Sequence, residues 1–346
     1  MAKPDLIEIL AFCTELARKA GSLIVEASEA IQSAPASESS VQEKQNAVDL
    51  VTEYDVRVEE LLQKELRAKY PEFKLLSRAP SFIIREEVFL PLAFSIGEES
   101  YSAGNCAPLT SEPTFCVDPI DGTLNFLHGF PWVCVSIGLI HNKRPVLGVI
   151  YNPFLDHLYT GAKGHGSFLT KSNGVQLRLP LTSLPKPLPS LSQALVGIEW
   201  GSDRTAPSVI PKSTSFGRLA GDPADIPGAK MVHSLRAVGS SALAIALVAQ
   251  GALDLFWDIG CWPWDVCAAT VILQEAGGLL TGSHDVFGAT KSESEAIFGD
   301  VTEEILTGRK YLAARAIAPA EGETASDAQK RIIEEFYETV EDVVIP

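Results

Sequence analysis

The six cysteines of this chain, at 13, 106, 116, 134, 261 and 267, form no CxxC pair and are sparse for its length. That excludes a disulfide framework and fits reduced thiols acting as small buried hydrophobes. No apolar run approaches a membrane span, and Met1-Ala2-Lys3-Pro4-Asp5 lacks the basic start and apolar core of a secretory signal. A soluble, cytoplasmic protein with no membrane partner is therefore expected. Cations are scarce as well: 28 Lys and Arg stand against 44 Asp and Glu, for a formal charge of −16. Polyanions are held mainly by Lys and Arg, so a nucleic-acid partner is excluded. The same acidity repels a small phosphorylated molecule unless a bound cation neutralises the site.

What is present is a 346-residue chain, 46% hydrophobic and 21% charged, long enough for two ordinary domains or one large layered one. Leu6, Ile9, Leu10, Cys13, Leu16, Ala17, Ala20, Leu23 and Ile24 recur at helical spacing and predict a first helix that ends before Pro35. A polar loop over 33–40 leads to a second predicted helix over 49–66, carrying Asp49, Asp55 and Glu59. Segments 115–117, 132–140, 145–151 and 156–161 read as successive strands of an antiparallel meander. Gly161 to Gly166 mimics a nucleotide loop but does not open a helix, so it is read as a hairpin turn.

Proline-rich 180–189 marks the boundary between an N-terminal half, 1–185, and a C-terminal half, 186–346. Beyond it the pattern gives a strand over 195–200, a loop over 202–230, a helix from Gly239 to Val248 that ends at Gly251, and a strand over 253–257. A helix over 264–276 stops at Gly277-Gly278, and a linker over 319–326 precedes a last helix over 327–344.

The chemistry concentrates at Asp118-Pro119-Ile120-Asp121-Gly122-Thr123-Leu124-Asn125-Phe126. An apolar β-prone run leads into it, and Pro119 and Gly122 break the pattern, so the carboxylates belong at a strand end, where oxygen ligands suit a hard cation such as Mg2+. Thr123 can cap a short helix whose free N–H groups face an anion. Taken alone, such a stretch is more often an ordinary turn. Gly97-Glu98-Glu99-Ser100 just upstream, Trp264-Asp265 far downstream, and Asp49, Asp55 and Lys44 give it company. Asp118, Asp121, Glu98 and Asp265 together could hold two or three Mg2+ ions, with the Ile120 carbonyl as a further ligand.

Three motifs, the Asp118 to Pro131 stretch, Gly97 to Ser100, and Trp264-Asp265 leading to Glu275-Ala276-Gly277-Gly278, resemble those of the inositol monophosphatase family of Mg2+-dependent, lithium-sensitive phosphatases. The match runs from the first helix to the last. Length and tail are similar to fungal members, including phosphatase-like proteins of quinate-utilisation clusters. The resemblance implies an α/β (α+β) fold, a layered αβαβα sandwich, usually a homodimer. It implies one Mg2+ on Glu98, Asp118 and the Ile120 carbonyl, a second on Asp118, Asp121 and Asp265, and a third, weaker one using Glu98. Thr123, oriented by Asp55, would help activate the attacking water, with Glu98 also counted in the catalytic set. The Gly122 and Thr123 amides would receive the phosphate, and Lys44 is assigned to the substrate as well. Gly239, Ser240, Ser241, Asp258 and Ser202 fall on the positions that contact the polyol, although capping of a helix is an equal reading for Ser240 and Ser241.

Two departures stand out. Asp258 replaces the Glu usual in inositol-selective members, one methylene shorter. Ser77 to Ser95 is an insertion, read as a lid or as sequence from an unspliced intron; within it Glu86-Glu87 is a decoy for Glu98-Glu99. The leading reading is Mg2+-dependent hydrolysis of myo-inositol monophosphate or a similar small polyol phosphate. The alternative is a catalytically quiet regulatory or metabolite-binding protein that keeps the fold, for example in quinate metabolism.

Overall fold

The computed structural model describes residues 4–33, 41–43, 50–77, 95–96 and 108–345. Lys44, Asp49, Glu98, Glu99 and the interior of the 77–95 insertion lie outside the described residues.

Helix α1 (Leu6–Ser33) buries Ile9, Cys13, Leu16, Ala17, Ala20 and Ile24, the face expected from their spacing. A small hairpin, β1 (Val41–Glu43) with β2 (Leu50–Thr52), then leads into α2 (Glu53–Lys69). The predicted helix over 49–66 thus begins later than its periodicity implied. Val51 and Thr52 are β-branched and pair as a strand, so the helix starts only at Glu53.

Strands β3 (Lys74–Ser77), β4 (Ser95–Ile96), β5 (Thr114–Asp121), β6 (Cys134–His141), β7 (Arg144–Asn152), β8 (His157–Ala162), β9 (Gly166–Thr170) and β10 (Gln176–Arg178) form one sheet in the order β10-β9-β8-β7-β6-β5-β3-β4. Strands β5 to β8 are the expected meander, which β9 and β10 extend, while β3 pairs in parallel with both β4 and β5. Residues 161–166 make the β8–β9 hairpin turn, whose Gly164 and Gly166 amides donate to Glu275 at 2.8 and 2.7 Å.

After the short helix α3 (Thr123–His128) and the meander, the second half alternates α4 (Ala206–Ala220), α5 (Ser241–Gln250), α6 (Pro263–Glu275), the short α7 (His284–Thr290), α8 (Glu295–Phe298) and α9 (Glu303–Thr307), and α10 (Ala325–Thr339) with a second sheet. That sheet comprises β11 (Leu195–Ile198), β12 (Ser234–Arg236), β13 (Leu255–Ile259), β14 (Leu279–Thr281) and β15 (Lys310–Ala314), in the order β12-β11-β13-β15-β14. The expected loop over 202–230 is overturned by α4, which buries Ser208, Lys212, Ser215 and Leu219. A helix whose inward face is mostly polar leaves no hydrophobic periodicity to read. Pro207 in its first turn, where the N–H has no partner anyway, and Pro211 inside it hid it further.

The layers run α1 and α2, eight-stranded sheet, α5 and α6, five-stranded sheet, then α4 and α10: the expected αβαβα sandwich. The middle layer belongs to both sheets. Its placement is set by glycines: Gly138, Gly148 and Gly161 sit opposite one another on β6, β7 and β8. A Cβ on Gly148 would stand 2.1 Å from the Ala268 carbonyl oxygen, and one on Gly138 2.6 Å from Cys267 Sγ, so α6 can seat this deeply only against a row without side chains.

Candidate functional site

Residues three apart on a regular strand face opposite sides of the sheet, yet the register of β5 against β6 shifts between Asp118 and Asp121. The irregularity at Pro119-Ile120, where one backbone N–H is absent, re-aims the strand end as a bulge does. Asp118 and Asp121 thereby converge with Asp265, from the first turn of α6, and one carboxylate oxygen of each lies within 4.8 Å of the others. Asp118 and Asp121 are buried and Asp265 is partly so.

Each carboxylate is oriented by the chain. Asp118 accepts from the Ile120 amide at 3.1 Å. Asp121 Oδ2 accepts from Ser240 Oγ at 2.6 Å and from the Ala242 amide at 2.9 Å. Asp265 accepts from the Trp262 amide at 2.6 Å, closing the first turn of α6. Burial, and then the charges of Asp118 and Asp121, push the Asp265 carboxyl well above its ordinary range. Clustered carboxylates repel, and an all-oxygen donor set relieved by a cation fits a hard ion such as Mg2+.

Beside the cluster, Gly122 adopts φ +87, and a Cβ there would meet the Trp132 carbonyl oxygen at 2.7 Å. The turn opens α3, whose Thr123 hydroxyl lies 3.1 Å from the Ile120 carbonyl and 3.4 Å from Asp55 Oδ1, with both acceptors in reach of a single proton. Asn125 Nδ2 donates to the Trp132 and Val238 carbonyls at 2.9 and 2.7 Å, tying this motif to the Gly239 loop.

These residues line a cleft of about 520 Å3 that also receives Ser202, Gly239, Ser240, Ser241 and Asp258. Of the sequence-predicted set, the structure therefore brings together Asp118, Asp121, Gly122, Thr123, Asp265 and these five, and sets Asp55 and the Ile120 carbonyl against Thr123. Lys44 and Glu98 lie outside the described residues. The capping reading of Ser240 holds: its hydroxyl caps α5, accepting from the Leu243 amide, and it also donates to Asp121.

Sequence reasoning missed Glu199 and Lys212. Glu199 accepts from the Val238 and Gly239 amides at 2.7 and 2.8 Å, and burial and the Asp258 charge push its carboxyl up to about 7. The one signal was a lone Glu near the end of an apolar strand. Lys212 is buried on α4, inside what read as a loop.

The sequence profile of the Inositol monophosphatase family matches residues 5–341. Protein qutG of Emericella nidulans is 38% identical over 97% of this chain and 94% of its own, and the Quinic acid degradation cluster protein x of Neurospora crassa 35% over the same shares. Inositol monophosphatase 2 of Saccharomyces cerevisiae is 39% identical over 71% of this chain and 73% of its own. Among solved structures, the extragenic suppressor protein suhB from Bartonella henselae covers 96% of this chain and 98% of its own with a TM-score of 0.66 at 25% identity.

Proposed function

Because the chain belongs to the inositol monophosphatase family, we propose that it is a Mg2+-dependent phosphomonoesterase that hydrolyses myo-inositol monophosphate, or a similar small polyol phosphate, to the free polyol and phosphate. The observation that carries this is the convergence of Asp118, Asp121 and Asp265 next to the Gly122–Thr123 turn. When bound there, Mg2+ would lower the pKa of water and offset charge on the phosphate. Asp118, Asp121, Asp265 and the Ile120 carbonyl would hold it, with Glu98 completing the set for two or three ions.

The chain's own part is positioning and proton handling. The Gly122 and Thr123 amides, with Lys44, receive the phosphate oxygens. Thr123 Oγ1, donating to Asp55, can accept a hydrogen bond from the water aligned with phosphorus. That water's oxygen forms the new P–O bond as the bond to the polyol oxygen breaks; the departing oxygen keeps the electron pair and takes a proton. Gly239, Ser240, Ser241 and Ser202 would meet the polyol, with Asp258 in the same wall of the cleft. No covalent enzyme intermediate is needed. We place this activity in a cytoplasmic homodimer; no helix among the described residues is long and apolar enough to cross a membrane.

A second reading, a binding protein that keeps the fold, is favoured by the two near-full-length relatives whose names carry no enzyme activity. Against it stands a buried carboxylate cluster beside the Gly122–Thr123 turn, whose mutual repulsion a bound cation would relieve. Phosphate release with and without Mg2+ from myo-inositol 1-phosphate, histidinol phosphate, a bisphosphorylated nucleotide and fructose bisphosphate decides between them. Release from the inositol ester that requires Mg2+, and that falls by about 10²–10³-fold in a folded Asp121→Asn variant, is expected. No release from any of the four would leave the binding protein as the answer.

A further inference from the structure

Asp258 lies in the far wall of the cleft but shows little of its surface there. Asp258 is only 4% exposed, its Oδ2 accepts from Ser241 Oγ at 2.6 Å, and its buried Oδ1 makes no well-formed hydrogen bond, although the Cys261 thiol and the Ile259 amide lie beside the carboxylate. Ser241, at the first position of α5, binds the carboxylate and lines the cleft with it. Its hydroxyl has one proton, and that proton is committed to Asp258. What remains for a ligand is a pair of acceptor lone pairs.

A buried cation stands on the carbonyl of the residue that follows Asp258. Lys212 Nζ donates to the Trp200 carbonyl at 2.7 Å and to the Ile259 carbonyl at 3.3 Å. These carbonyls lie at the carboxyl ends of parallel β11 and β13, just past the last bond between them, from the Glu199 amide to the Trp257 carbonyl. Ligands of open parallel sheets bind outside such ends. Gly201 leaves the ammonium room, since a Cβ there would stand 3.1 Å from Nζ. Lys212 and Asp258 each favour the charged form of the other against burial.

We propose that Asp258 serves the polyol site through Ser241 rather than by direct contact, with Lys212 as the buried counter-charge that fixes it. Ser241 is then the hydrogen-bond acceptor that recognises a donor hydroxyl of the substrate, and Asp258 and Lys212 are positioning residues. A carboxylate one methylene shorter sits back in the cleft wall, and the serine hydroxyl that it polarises lines the cleft beside it. The inference rests on the polyol-phosphate reading above.

A double-mutant cycle in KM for myo-inositol 1-phosphate, with thermal melts to confirm folding, tests it. Ser241→Ala and Asp258→Asn each raise KM by about tenfold, the scale of one hydrogen bond to a charged network, with the larger change in KM than in kcat. The double variant is no worse than Ser241→Ala, and Lys212→Met, harmful in the parent, adds nothing in the Ser241→Ala background. Ser241→Ala with Asp258→Glu recovers most of the loss, because the longer carboxylate reaches the cleft itself. Multiplying losses in the double variant would mean that Asp258 touches the substrate directly and would overturn the proposal. If the parent hydrolyses none of the esters, the function reading fails separately, and the same cycle in calorimetric affinity for myo-inositol 1-phosphate without Mg2+ decides the relay; absence of binding by the parent also overturns it.

Discussion

Ser240 Oγ donates to Asp121 Oδ2 across 119 residues of sequence, at 2.6 Å. The contact joins the strand-end motif of the first half to the N-terminus of α5 in the second. The Ala242 amide donates to the same oxygen, so one carboxylate answers both the cap and the exposed amides of that helix. Ser240→Ala removes an N-cap and a support of Asp121 together. It should destabilise the protein by about 1 kcal/mol and lower kcat/KM for a polyol phosphate about tenfold, read by thermal melts and phosphate release.

Asp265 is held close to two other carboxylates, and burial with their charges already disfavours its ionised form. Asp265→Asn should therefore melt no lower than the parent without Mg2+ while losing the rise in melting temperature that Mg2+ gives the parent. Titrating Mg2+ against melting temperature in both proteins checks this, since a ligand at about 100 times its Kd stabilises by about 2.7 kcal/mol. A rise of equal size in the variant would remove Asp265 from the ligand set.

Glu59 on α2 accepts from Ser77 Oγ and Gln63 Nε2, both at 2.8 Å, but burial outweighs these bonds and pushes its carboxyl from 4.5 up to about 7. The folded state thus holds a proton that the unfolded chain releases earlier. Stability tied to that proton is present below pH 4.5 and is lost as pH rises towards about 7, by at most about 3 kcal/mol. Urea unfolding at pH 5 and pH 8 without metal should show Glu59→Gln losing less stability across the interval than the parent. Equal losses would mean that Glu59 titrates normally.

Gly148→Ala places a methyl where the Ala268 carbonyl already lies, at 2.1 Å. Overpacking of this kind is worth roughly 1–3 kcal/mol. Lifting α6 also displaces Asp265, so the melting temperature should fall and more Mg2+ should be needed for half-maximal activity. Unchanged Mg2+ dependence in a destabilised variant would show that the helix yields without moving its first turn.

Elements with an apolar face were legible in the sequence: α1, the meander, α5 and α10 follow from hydrophobic spacing, turn residues and glycine stops, although α10 ends at Thr339 rather than at 344. The carboxylate cluster was legible because Asp118, Asp121 and Gly122 are adjacent, and the motif drew in Asp265 from far away. Helix α4 was not, because its inward face is Ser208, Lys212 and Ser215, and with it went any hint that a lysine stands beneath the cleft. Strand β15 escaped too, since its ladder partners β13 and β14 are set by tertiary pairing rather than by local pattern. The relation of Asp258 to Ser241 depends on a three-dimensional contact between residues 17 apart that no spacing rule encodes.

The glycine row of the eight-stranded sheet bears on the order in which the protein can be made. Strands β6, β7 and β8 are complete by residue 162, but the helix that covers Gly138, Gly148 and Gly161 is not synthesised until residues 263–275. Until then the face of these strands lacks its main cover, and exposed apolar surface of that kind is what chaperones exist to shield. The helix that finally shields it carries Asp265 in its first turn, so covering the glycine row and completing the carboxylate cluster are one and the same docking.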